Sequence, residues 1–271
     1  DLLASEEANA TAAEFIKGKI RQIVRDPDKA RILSDIDHPY AAKRPPVDTD
    51  YFETFNRDNV DLVDLRAEPI TRITENGILT EKAEYPLDVI VFATGFDAMT
   101  GPLLRLGLTG RDGVRLDEAW AAGPVTYLGL QIPGFPNLFT VTGPGSPSVL
   151  VNLPIGIEQH VEWITDCIAF MRERDVTRIE PRMEAAQAWG AHVEEAAGRT
   201  LLPRVPHSWY LGANVPGKPR VFMPYTGGME RYRAICDDIA ARGYPGFILD
   251  ETAQPAPAAK DFDAPIYAPG V

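Results

Sequence analysis

Two adjacent cations, Lys43 and Arg44, precede a proline pair in AAKRPPVDTD. A guanidinium is permanently charged with forked donors, which suits it to an oxyanion; an ammonium is a point charge suited to a phosphate. The dipeptide reads equally as a solvated basic loop. Trp209 lies in SWYLGANVPGKPR, an aromatic ring among loop-forming residues. Its indole carries one N–H donor on an apolar body, so it either contacts a ligand or plugs a core. Lys218 and Arg220 of the same stretch read as loop-shaping or as solvent-facing charges. GPGSPSVLVNLP (143–154) follows an apolar run and precedes a helical pattern, so it is either a pocket wall or a tight turn with a cap. In DVIVFATGFDAMTG (88–101) an apolar run enters the turn Thr94, Gly95, Phe96, Asp97, where glycine lets backbone approach a ligand.

Other chemistries are excluded more cheaply. The two cysteines, Cys167 and Cys236, form no CxxC and no ligand cluster with the four histidines, so they read as buried thiols. Ser146 lies in no GxSxG elbow, which argues against a hydrolase. His160, between Glu158 and Glu162, is expected on a helix surface, and His207 has no assigned role. With 27 basic and 39 acidic residues the net charge is −12, unfavourable for nucleic acid or an anionic membrane. DLLASEEANA lacks a basic n-region before an apolar run, and no stretch reaches a membrane span, so a cytoplasmic protein is expected.

The elements that must position these residues are partly visible. Residues 5–25 are helical by the spacing of Ala12, Phe15, Ile16, Ile20, Ile23 and Val24. Strands are expected at Val60–Leu65, Ile70–Ile73, Gly77–Thr80, Leu87–Ala93 and Asn137–Thr142. Asn76-Gly77 predicts a type I′ hairpin turn. Ile157, Val161, Ile164, Ile168 and Met171 form an apolar stripe on a helix over 155–174, and further helices are expected at about 182–198 and 229–242. Strands mixed with helices predict an α/β fold, and LDVIVFA, apolar without alternation, suits a parallel sheet covered on both faces. There is no GxGxxG and no Walker loop.

Five stretches then carry a resemblance, in order and spacing: KRPPVDTDYFETFNRDNVDLVD (43–64), DVIVFATGFDAMTG (88–101), AAGPVTYLGLQIPGFPNLFTVTGPGSPS (121–148), EQHVEWI (158–164) and SWYLGANVPGKPRVFMPYTGG (208–228). Together they resemble the C-terminal half of a Baeyer–Villiger monooxygenase, of the kind acting on phenylacetone, steroids and cyclic ketones, over about residues 9–249. The resemblance implies the C-terminal part of an α/β flavoprotein with two dinucleotide-binding domains, for FAD and NADP. It divides the chain into the end of a helical insertion (1–42), the end of the NADP domain (43–90), the second part of the FAD domain (91–249) and an extended tail (250–271). It implies oxygenation of a small hydrophobic ketone to an ester or lactone by a C4a-peroxyflavin, from NADPH and O2. Arg44 would hold the anionic oxygens and Lys43 the 2′-phosphate of NADPH. Trp209 would contact the nicotinamide cofactor, with Gly212, Asn214, Gly217 and Lys218 shaping a mobile loop over it. Thr94, Gly95, Phe96, Asp97, Asn152 and Leu153 would contact FAD, and Ser146, Ser148, Val149, Leu150 and Leu153 the ketone.

The family's two GxGxxG loops and its FxGxxxHxxxW fingerprint belong to an N-terminal half that is absent from this sequence. That half, on the same or a separate chain, is the expected partner, because a diphosphate needs a glycine loop and helix N-terminus to sit on. Two rivals stay open. One is a sibling flavin monooxygenase that oxidises nitrogen or sulfur; the other is a non-catalytic half that binds cofactor or assembles with a partner.

Overall fold

Ser5 accepts a hydrogen bond from the Ala8 N–H, and Asp26 accepts from the N–H groups of Asp28 and Lys29. These caps start helices α1 (Glu6–Ile23) and α2 (Pro27–Ser34); Pro27 sits in the first turn, where its missing N–H is no loss. The computed structural model describes residues 2–250, which form two compact units, one ending at Phe96 and one beginning at Asp97. In the first unit Ile20, Val24 and Ala30 pack with Phe52 and Phe55 at the short helix α3 (Tyr51–Thr54). Phe15, expected on the same stripe, is exposed.

An antiparallel sheet follows, with strands β1 (Ile70–Ile73), β2 (Gly77–Thr80) and β3 (Glu84–Pro86) in that order. The hairpin forms where Asn-Gly predicts it, yet Asn76 is not among the residues with positive φ, so the turn is not type I′. Val60–Leu65 and Leu87–Ala93 are not strands. A strand exists only by pairing, and among the described residues no neighbour offers these segments a ladder; both sheets are antiparallel, so the expected parallel pairing is also absent. Val89, Val91 and Phe92 stand exposed as a consequence.

The second unit opens with helices α4 (Gly101–Arg105) and α5 (Leu116–Ala119), whose Leu103, Leu104, Leu116 and Trp120 pack on Ile132 and Phe135. NLFTVT (137–142) is not a strand; Phe139 makes one isolated bridge to Gln131. Then come α6 (Leu153–Glu173), β4 (Ile179–Pro181), α7 (Met183–Gly198), α8 (Met229–Ala241) and β5 (Phe247–Leu249), with β5 antiparallel to β4. Trp163 of α6, Trp189 of α7 and Tyr232 of α8 meet in the main core with Tyr225, Ile179 and Ile239. The predicted tail beyond residue 250 lies outside the described residues.

Helix α6 corrects the expected apolar stripe. Its buried positions are Gly156, Gln159, His160, Trp163, Cys167 and Met171, whereas Ile157, Val161 and Ile168 are exposed. The buried side carries Gln159 and His160 beside Trp163, Cys167 and Met171, so the exposed stripe is the more apolar side by sequence and periodicity picks it. Burial pushes the thiols of Cys167 and Cys236 up to about 12, which keeps them protonated and unreactive.

His160 is likewise not a surface residue. It is fully buried, its Nδ1 accepting from the Thr142 N–H at 2.9 Å. Nε2 therefore carries the proton and donates to Tyr232 Oη at 3.0 Å, and Tyr232 donates to the Leu128 carbonyl at 2.7 Å. Burial lowers the imidazole pKa from 6.5 to about 4. Between those values the unfolded chain binds the extra proton, so stability is full above pH 6.5 and is lost as pH falls towards 4. A shift of that size corresponds to about 3 kcal/mol. His192, also lowered by burial, adds in the same direction. Urea midpoints measured across this range should fall steeply in acid, and less steeply for His160→Asn, which has no proton to gain.

Candidate active site

Lys43 and Arg44, in the first unit, are exposed and make no ion pair among the described residues. Thr94, Gly95 and Phe96 are exposed too, with Gly95 at φ +88° and open space where a Cβ would stand. The other candidates belong to the second unit, where the chain brings three of the sequence motifs together.

The first of these is the turn Asp97–Thr100. Met99 adopts φ +65°, and its Sδ accepts from Ser148 Oγ at 3.6 Å; Ser148 itself sits at φ +45°. Two non-glycine residues in left-handed backbone cost on the order of 1–2 kcal/mol each, and they touch. Asp97 pairs with Lys218 Nζ, which also donates to the Ala98 carbonyl at 3.3 Å, while Arg105 stands 3.9 Å from the same carboxylate. One turn thus joins the GPGSPS segment to the Trp209 loop. Lys218 is therefore a partly buried ion-pair partner and not a solvent-facing charge, with its side chain 12% exposed.

GPGSPS is held from several sides. Thr126 Oγ1 donates to the Pro144 carbonyl at 2.6 Å, and Trp189 Nε1 to the Gly145 carbonyl at 3.0 Å. The Gly145 N–H donates to Met223 and the Tyr225 N–H to the Ser146 carbonyl, so this segment is sewn to the one following the Trp209 loop. Gly145 is at φ +89°, and a Cβ there would crowd Thr126 and the Trp189 indole. Ser146, expected on the pocket wall, is fully buried with its hydroxyl donated to the Gly143 carbonyl, where it shapes the turn. Ser148 is buried, Val149 and Leu150 are half-buried, and Asn152 and Leu153 are exposed at the start of α6. Asn152 makes no side-chain cap, leaving first-turn N–H groups of α6 without that partner.

Trp209 is half-buried in a single 3₁₀ turn capped by Ser208, its ring edge-on to Tyr210 at 4.6 Å. A cleft of about 540 Å³ runs along α7 between Trp189, Gly145 and Phe222. Trp189, Thr126 and Tyr225 were not singled out from the sequence. Their apolar spacing marks a core, but nothing local to AAQAWGAHV shows an indole reaching a carbonyl 44 residues away. Among the described residues there is no cluster of three metal-ligating side chains, and no helix long and apolar enough to cross a membrane.

No family model matches the chain. Individual proteins do. It is 45% identical over 255 residues to a Baeyer–Villiger monooxygenase of Pseudooceanicola batsensis, covering 94% of this chain and 46% of that protein. It is 41% identical to the cyclohexanone 1,2-monooxygenase of Acinetobacter sp (95% and 48% covered), and 43% to phenazine N-monooxygenase PhzNO1 of Lysobacter antibioticus (92% and 45%). Among solved structures it matches oxidized steroid monooxygenase bound to NADP at 51% identity with a TM-score of 0.84, covering 92% of this chain and 47% of that one. It matches OTEMO in complex with FAD and NADP at 44% identity with a TM-score of 0.87, covering 92% and 46%. The chain spans about half the length of the curated relatives it matches. With its motifs in register and its fold superposing on these structures over 92% of its length, the chain is similar to the C-terminal half of the Baeyer–Villiger monooxygenases.

Proposed function

We propose that the chain supplies the C-terminal half of an NADPH- and FAD-dependent monooxygenase that inserts an oxygen atom from O2 beside the carbonyl of a hydrophobic ketone. The observation that carries this reading is the convergence of three motifs at the Asp97–Thr100 turn, which touches both Ser148 and Lys218. Relatives at comparable identity are named for ketone oxygenation.

The residues present fit the cofactors. Gly95 leaves room for backbone approach, and α6 offers a first turn without a side-chain cap beside exposed Leu153, suited to the polar edge of a flavin ring. FAD, when bound, supplies the redox chemistry that activates dioxygen. This chain's own residues bind, orient and stabilise charge. In this reading Lys43 holds the 2′-phosphate of NADPH and Arg44 stabilises negative charge on the oxygen of the attacked carbonyl. Val149 and Leu150 form an apolar wall that keeps water from the substrate, and Trp209 contacts the nicotinamide cofactor.

The exposed apolar residues fit a further layer of protein. Val89, Val91 and Phe92 in the first unit, and separately Ile157 and Val161 on α6 in the second, are exposed apolar groups on which a half bearing the GxGxxG loops would pack. Residues 43–90 would then complete the NADP domain and residues 91–249 the FAD domain.

A second reading, oxygenation of nitrogen, is favoured by the 43% identity to a phenazine N-monooxygenase. A third is a non-catalytic assembly subunit. The chain purified alone should show no flavin absorbance, and purified with a half carrying the GxGxxG loops it should retain stoichiometric flavin. Absence of flavin in the combined preparation would sink the enzymatic reading.

A further inference from the structure

We propose that Lys218 is a positioning residue that latches the Trp209 loop to the Asp97 turn, and so sets where Trp209 stands. The loop leaves the core at Tyr210 and returns at Met223. Its neck is closed by the Met223 N–H donating to the Tyr210 carbonyl at 2.9 Å and the Val221 N–H to the Leu211 carbonyl at 3.2 Å. Between these bonds the chain passes Gly212 and Gly217 at φ +69° and +77°, positions that bend freely. Lys218, on the returning arm of the excursion, pairs with Asp97 and donates to the Ala98 carbonyl at 3.3 Å.

The pair is built in from both sides. A Cβ on Gly101 would overlap the Asp97 carboxylate, and a Cβ on Gly212 would stand 3.1 Å from the Lys218 stem. Two glycines thus make room for one ion pair. The Lys218 side chain is 12% exposed and that of Asp97 30%, so the pair is screened less than a surface bridge. Arg105, 3.9 Å from the second Asp97 oxygen and well exposed, remains beside the carboxylate when Lys218 withdraws. Release therefore leaves Asp97 with a cation, which makes the latch reversible. Because Met99 of the same turn contacts Ser148, the loop is registered against the segment read as the substrate wall.

The catalytic consequence rests on the function proposed above; the latch itself does not. Hydrogen exchange on the full chain tests the latch. Lys218→Met and Asp97→Asn should each speed exchange across 209–220 by about tenfold while α8 is unchanged. Gly101→Ala, which keeps both charges but displaces the carboxylate, should do the same, and Lys218→Arg should stay near wild type. Unchanged exchange in the loop, or an equal rise in α8, would overturn the latch. In the flavin-loaded enzyme Lys218→Met should raise KM for NADPH by about five- to tenfold with a smaller effect on kcat. A loosened loop with unaltered KM would overturn the positioning role. A loosened loop in a protein whose wild type turns over no NADPH would count against the proposed function and leave the latch standing.

Discussion

Alanine at Arg44 is expected to lower ketone oxygenation by about two to three orders of magnitude in the flavin-loaded enzyme, the size of effect seen when an oxyanion donor is removed. NADPH consumption should continue, because reduction of the flavin makes no demand on a charge beside the ketone. The reasoning is electrostatic. Attack on a carbonyl turns its oxygen into an anion, and a fixed guanidinium lowers that anion's energy without reorganising at the moment of reaction. Arg44 is exposed and without an ion pair among the described residues, so none of them already neutralises its charge. Lys43 should behave differently: Lys43→Ala should raise KM for NADPH more than it lowers kcat, as expected of a phosphate contact made equally in ground and transition states. If Arg44→Ala oxygenates ketones at the wild-type rate, the charge-stabilising role given to Arg44 is wrong.

Trp189→Ala is expected to be the most destabilising single change in the second unit. The indole is 1% exposed and packs on Tyr225, His192 and Tyr232, and truncation of such a residue costs about 3–5 kcal/mol. The Gly145 carbonyl also loses its indole donor. Trp189→Phe should retain much of the packing and lose the hydrogen bond, at about 1–2 kcal/mol. Denaturant midpoints for the two variants separate the contributions. Because Gly145 belongs to the turn that carries Ser146 and Ser148, even the milder variant should shift substrate KM.

Helices with a long apolar pattern were legible in the sequence: α1, α6, α7 and α8 lie within a few residues of where periodicity puts them. The hairpin was legible from Asn-Gly and the flanking strands. What failed was anything depending on a neighbour distant in the chain. Leu87–Ala93 has the composition of a sheet interior, but composition supplies no pairing partner, and the segment stands unpaired and apolar. In α6 the buried side includes Gln159 and His160, so the exposed stripe of Ile157, Val161 and Ile168 looked more like a core face than the buried one. His160 between two glutamates looked solvated. Its burial depends on Thr142, Tyr232 and Leu128, two of them distant in sequence and on no common local pattern.

The candidate site shows the same division. The motifs themselves could be read, and five in register carried the family resemblance. The bonds among them could not: Asp97 to Lys218 spans 121 residues, and Ser148 to Met99 spans 49. Ser146, singled out as a pocket serine, belongs to the scaffold of the turn, because its hydroxyl is satisfied by Gly143. Lys218, which sequence left between loop and solvent, is the residue that ties the two halves of the site together.

The central claim is that this chain completes an enzyme that inserts an atom of dioxygen beside a ketone carbonyl. Its most direct test combines the chain with the half bearing the GxGxxG loops and supplies FAD, NADPH, a hydrophobic cyclic ketone and isotopically labelled dioxygen. The account predicts a lactone carrying one labelled oxygen atom per molecule, formed only when NADPH and both halves are present. Unchanged ketone, with flavin bound and NADPH consumed, would contradict it.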